Sequence, residues 1–149
     1  MNRVSQNELI GTVAIQSALV NSDGRSLTLA KAMLILPLVF DRAVRSVLKR
    51  KTSVVLSSKD LLISNPAAYI TVRARYEDLT VTSLNTIILA QELGMVSLED
   101  GCLVLKNQIF PDSPDIGKIA SDIFAAGPKL GLILRESTED LYQTFRIEL

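Results

Sequence analysis

The sequence predicts a mostly α-helical chain, one compact helical domain over residues 1–149, carrying a winged-helix-like helix-helix-hairpin unit at about 66–106. Three observations lead there. Apolar residues recur at spacings of three and four along most of the chain, which buries one face of each helix. Capping residues stand where those stretches begin. An Asp-Gly pair, Asp100-Gly101, separates two short apolar runs, the strongest local signal for a β-hairpin.

The elements follow in order. Ser5 or Asn7 caps a first helix to about Val20, with Leu9, Ile10, Val13, Ala14 and Ser17 on one face. Asn21-Ser22-Asp23-Gly24 is a turn. A strongly apolar helix runs from near Leu27 to Leu36, and Pro37 kinks it or starts another. The next helix, about 38–51, puts Phe40, Val44, Val47 and Leu48 on one side and Arg42, Arg45 and Lys49 on the other. Residues 52–56 suit a strand or a loop. Ser57 and Asp60 have capping-box spacing and open a short helix ending at Asn65. Asn65-Pro66 caps and opens another, with Tyr69, Val72 and Tyr76 inward.

Thr80 reads as a further cap, with Leu79 and Leu84 as a hydrophobic staple. That helix carries Ile87, Ile88 and Leu93 and ends at Gly94. The hairpin follows at once. Two helices and then a hairpin is the order of a winged helix. Beyond the loop at residues 110–114, Ser113 caps a helix that Gly127-Pro128 breaks. A further apolar stretch spans residues 130–134, Ser137 or Thr138 starts a last short helix, and residues 146–149 suit a terminal strand.

Composition excludes much chemistry. With no His, the chain has no Ser-His-Asp triad, no Cys-His pair and no imidazole metal ligand. Its one Cys, Cys102, cannot form a zinc finger, an internal disulfide or a redox pair, and suits a reducing cytoplasm as a packed thiol. The N-terminus lacks the pattern of a signal peptide. The most apolar stretch, residues 32–40, is far shorter than the ~20 residues of a membrane span. A cytoplasmic protein without a cofactor is expected.

The formal charge is zero, but it is divided. Residues 1–75 hold eleven Lys and Arg against four Asp and Glu, and residues 76–149 hold five against twelve. Five of the cations, Arg42, Arg45, Lys49, Arg50 and Lys51, belong to one helix and its end. They are the candidate contact for nucleic acid or for an acidic partner, with ordinary solvated surface as the plain alternative.

Other motifs carry less. If residues 81–93 are a recognition helix, they lack Lys and Arg to hold phosphates, and the hairpin tip is Glu99-Asp100. A winged-helix transcription regulator is therefore the second reading of function, and its DNA face is poorly furnished. Ser46-x-x-Lys49 matches penicillin-binding enzymes by chance, because its partner motif is adjacent instead of distant. Gly127-x-x-x-Gly131 has the spacing of membrane-helix dimers, but Pro128 lies inside it and a helix end is the simpler explanation. The carboxylates Asp112, Asp115 and Asp122, or Glu136, Glu139 and Asp140, are better read as helix-start acids than as metal ligands or an unfamiliar enzyme's site.

The order of segments resembles the small middle component of bacterial three-component ABC systems, including the Lamassu-type antiphage operons. The likeness rests on the opening helix Asn7-Glu8-Leu9-Ile10-Gly11 to Leu19, on Leu36-Pro37-Leu38-Val39-Phe40-Asp41-Arg42, on the helix and hairpin from Leu89 to Leu105, and on a C-terminal helix pair. The family often has Asn-Pro in the opening segment and His after the Leu-Pro-Leu-Val segment, where this chain has Asn7-Glu8 and Asp41. The resemblance implies a non-enzymatic adaptor with no catalytic residues. Its partners would be an SMC/Rad50-like ATPase and an effector such as a nuclease.

Overall fold

The structure, a computed structural model, describes residues 6–148. At its centre lies α1 (Gln6–Val20). Ser5, one expected cap, falls outside the described residues, and Asn7 lies within the helix. Residues 11–19 are all buried, while Leu9 is exposed, so α1 has no single inner face. Two later helices pack on it from different sides. Its polar residues are therefore buried too and must find partners. Thr12 Oγ1 donates to Leu9 O at 2.6 Å, and Ser17 Oγ to Ile123 O at 3.3 Å. Gln16 Oε1 accepts from Ile109 N and Phe110 N at 2.7 and 2.9 Å, and its Nε2 donates to Phe110 O at 2.7 Å.

The expected turn forms, with Gly24 at φ +65°. The helix expected from Leu27 does not begin there. Instead β1 (Ser26–Thr28) pairs with a strand far along the chain, and only then come α2 (Leu29–Ala32) and α3 (Ile35–Val39). Pro37 does sit in a new helix. It occupies the first turn, where N–H groups have no intrahelical acceptor. α4 (Arg42–Lys49) starts later than the apolar pattern implies, because Asp41 Oδ1 accepts from Ala43 N and Val44 N at 3.0 and 3.1 Å. Asp41 Oδ2 also pairs with Arg75 at 3.6 Å.

Residues 52–56 are a loop. α5 (Ser58–Ser64) has its expected cap, with Ser57 Oγ accepting from Asp60 N at 3.2 Å. The returning arm is displaced by one residue: Asp60 Oδ2 accepts from Leu56 N at 2.9 Å.

The main correction concerns residues 66–106. Pro66 lies in a turn, and one helix, α6 (Ala68–Glu92), runs for 25 residues. Thr80 is inside it and caps nothing. Its hydroxyl donates to Tyr76 O at 2.7 Å, the back-bond that lets Thr sit within a helix. No Gly or Pro interrupts the stretch, so the two expected helices are one and the staple does not form. Gly94 ends α6 at φ +73°, and Met95 N donates to Ala90 O at 3.0 Å.

The hairpin is as expected. β2 (Val96–Glu99) and β3 (Cys102–Leu105) are joined by Asp100 and Gly101, at φ 53° and 77°, the left-handed pair of a tight hairpin turn. The antiparallel sheet has the order β1-β3-β2, with Leu103 opposite both Leu27 and Leu98.

Ser113 serves a 3-10 turn (Pro114–Ile116) instead of the helix after it. α7 (Lys118–Leu134) follows from Gly117 and runs straight through Gly127 and Pro128, against the expected break. Both Gly127 and Gly131 are buried against the end of α1. A Cβ on Gly127 would stand 2.5 Å from Ser17 Oγ and from Asn21 Nδ2. The small-residue spacing is therefore a close helix-helix contact and not the expected helix end. α8 (Thr138–Thr144) is capped by Ser137 Oγ, 3.1 Å from Asp140 N. It ends without a strand: Ile147 N donates back to Tyr142 O at 2.8 Å, and Leu149 lies outside the described residues. The buried Tyr142 hydroxyl donates to Ala30 O at 2.6 Å, and its ring meets Tyr76 edge-on at 5.7 Å. Burial pushes this phenol well above its usual range. The fold is mostly helical with a small three-stranded sheet, and buried side chains from α1, α3, α6, α7 and the sheet share one core.

Candidate binding cleft

The Asp41 cap sets the phase of α4. Val44, Val47 and Leu48 turn inward, and α4 packs along α7. Arg42, Arg45 and Lys49, at spacings of three and four, then share the outer face. Across from them, the first turns of α7 present Lys118, Ile119 and Asp122. Between the two helices is an open cleft of about 390 Å³, lined by these residues and Ser46.

Four cations face one carboxylate there. Lys49 Nζ lies 3.3 Å from Asp122 Oδ2 and Lys118 Nζ lies 3.8 Å from the same oxygen. Arg45 donates from Nη1 to Val39 O at 2.8 Å and has no carboxylate partner among the described residues. Arg42 is exposed and has no carboxylate partner among the described residues. One acid cannot balance this group, so the cleft carries a net positive charge.

The five expected cations thus divide. Arg42, Arg45 and Lys49 line the cleft. Arg50 and Lys51 lie past the end of α4, both exposed, with Arg50 Nη2 on Ser46 Oγ at 3.4 Å. Lys129 Nζ bonds the Arg50 carbonyl and, at 2.7 Å, Ser53 Oγ, fixing that end of the helix to α7. Lys118 and Asp122 had no local signal connecting them to the basic block. Only the α4–α7 contact does so.

Glu136 and Asp122 are used structurally. Glu136 accepts from Ser58 N at 2.7 Å and from Ser58 Oγ at 2.6 Å, and Glu139 and Asp140 lie in the first turn of α8. Asp122 is not a helix-start acid but the counter-ion of Lys49 and Lys118. Among the described residues no group of three or more His, Cys, Asp or Glu could hold a metal ion. Cys102 is a half-buried free thiol in β3. Among the described residues no helix is long and apolar enough to cross a membrane.

The cleft is charged and open and lies on a helical scaffold. The particular family is shown by its sequence model. The chain belongs to the family described as ABC-three component (ABC-3C) system Middle Component 3, which matches residues 4–149. It is the middle component of a three-component ABC system, a non-enzymatic adaptor linking an ATPase to an effector subunit. No curated protein and no solved structure matches it.

Proposed function

We propose that this middle component is a cytoplasmic docking subunit of a bacterial antiphage complex, holding an SMC/Rad50-like ATPase on one side and an effector on the other. In this proposal the α4–α7 cleft receives an anionic surface. Arg42, Arg45 and Lys49 make the central contacts, and Arg50 and Lys51 extend them just past the end of the same helix. The anion is a nucleic-acid backbone or an acidic patch on a partner. The observation that carries the proposal is that four cations are set against one carboxylate in a cleft bounded by two helices.

The whole chain is read as one domain of winged-helix-like type, in a form more dispersed than residues 66–106. Strand order β1-β3-β2 and the mutual packing of α1, α3 and α6 support it, with α4 and α5 as an insertion before the long helix. The insertion would then carry the cleft.

Co-expression with the ATPase and effector encoded beside it tests the proposal. A stable complex is expected, and the triple change Arg42→Glu, Arg45→Glu and Lys49→Glu should remove either one partner or the salt-sensitive binding of duplex DNA. A chain that stays monomeric beside both neighbours, and binds no DNA, overturns it.

A further inference from the structure

Along most of its length α6 presents a surface opposite in character to the cleft. Seven exposed residues recur at alternating spacings of four and three: Ile70, Ala74, Glu77, Val81, Leu84, Ile88 and Gln91. That is the heptad rhythm, which keeps one stripe facing a partner helix along the whole length. Ile70, Val81, Leu84 and Ile88 are 56%, 68%, 45% and 51% exposed. From Ile70 to Ile88 the stripe is about 27 Å long. β-Branched Val81 and Ile88 alternate with Leu84, the side-chain pattern of a paired-helix seam. At its N-terminal end lies a shallow groove of about 270 Å³ that includes Ile70, Ala74 and Glu77.

Charge selects the occupant. Of the five acids between residues 76 and 105, Glu77 is paired with Arg73 and Glu99 with Lys106, which leaves Asp78, Glu92 and Asp100 without a cation partner among the described residues. Asp78 and Glu92 flank the stripe on one side at heptad spacing. Arg73, near its start, is already paired with Glu77 at 3.6 Å. A second copy of this chain laid antiparallel would bring acids against acids, which opposes pairing. A duplex of nucleic acid would be repelled in the same way.

From these placements we infer that the stripe Ile70–Val81–Leu84–Ile88 on α6 is a docking face for an amphipathic helix of a partner protein, one with apolar residues at heptad spacing and Lys or Arg along its edge. The inference rests on the adaptor role and assigns it a second surface, chemically distinct from the α4–α7 cleft. An adaptor with one cationic site and one acid-edged apolar site can hold two different partners without their competing.

Two measurements test it. The first uses a synthetic four-heptad helix with Ile and Leu on its seam and Lys on its edges, beside a version with Glu on the edges. The Lys helix should bind the full chain, the Glu helix at least about tenfold more weakly. The double change Val81→Glu and Ile88→Glu should weaken the Lys helix at least about thirtyfold, as loss of central apolar contacts does. Both sites are exposed, so the thermal midpoint should stay near that of the wild type. Equal binding of both helices, or an unaffected double variant, overturns the inference. The second measurement is co-purification with the ATPase and effector. If the double variant retains both as well as the wild type does, the docking face is wrong and the adaptor role stands. If the wild type retains neither, the adaptor role itself fails, and the docking face fails with it. A concentration-dependent dimer that the double variant abolishes would assign the face to a second copy and overturn the partner helix.

Discussion

Gly131→Ala should destabilise this protein, although Ala is the better helix former. In an exposed helix the exchange would gain about 1 kcal/mol. Here the new Cβ would press into the backbone carbonyl oxygen of Asn21 and stand 2.9 Å from Asn21 Cβ and 3.1 Å from its carbonyl carbon. Two of these atoms are backbone, so no side chain can rotate aside, and α1 and α7 must separate. Overpacking of this kind costs roughly 1–3 kcal/mol, and a rigid neighbour puts it at the upper end. The expected net loss is about 2 kcal/mol, or a fall of roughly 4–8 °C in Tm for a chain of this size. Urea and thermal unfolding measure it. Ala125→Gly, at an exposed position of the same helix, provides the control and should lose about 1 kcal/mol through propensity alone. A Gly131→Ala protein as stable as the wild type, with an unchanged denaturant slope, would refute the close approach of the two helices.

Two further outcomes are expected. Gln16→Ala removes three hydrogen bonds to the loop after the hairpin and should cost about 3 kcal/mol, with faster amide exchange at Ile109 and Phe110 but not in β3. For Glu99, the hydrogen bonds from Lys106 and then Ser97 hold the carboxyl below its usual range. Its folded pKa is therefore the lower one. Its contribution to stability is present above the unfolded pKa and disappears as pH falls through the folded value. The site is exposed, so the effect is small; stability measured from neutral to acid pH should decline less in Lys106→Met than in the wild type.

The local signals were legible wherever a residue's partner lay within a few positions. Ser57, Ser137, Gly94 and the Asp100-Gly101 turn behave as their sequence context implies, because each bond is made inside its own segment. The same logic misled at Thr80. A Thr can cap a helix or bond back into one, and the four residues around it do not distinguish the two. Leu27 reads as helix in the sequence because its strand has three residues and exists only through pairing with β3. Of the cleft, the cations of α4 were visible as a helical face, while Lys118 and Asp122 were not.

The sequence alone determined the family, the absence of imidazole chemistry, the hairpin and the basic face of α4. It did so through residue types and spacings that act locally. Tertiary structure decided the rest. Packing on two sides buried residues 11–19 of α1, gave Gly127 and Gly131 a contact in place of a break, and set α7 against α4 to complete the cleft. Each of these depends on which helix approaches which, a choice made by the shared core and not by any one segment.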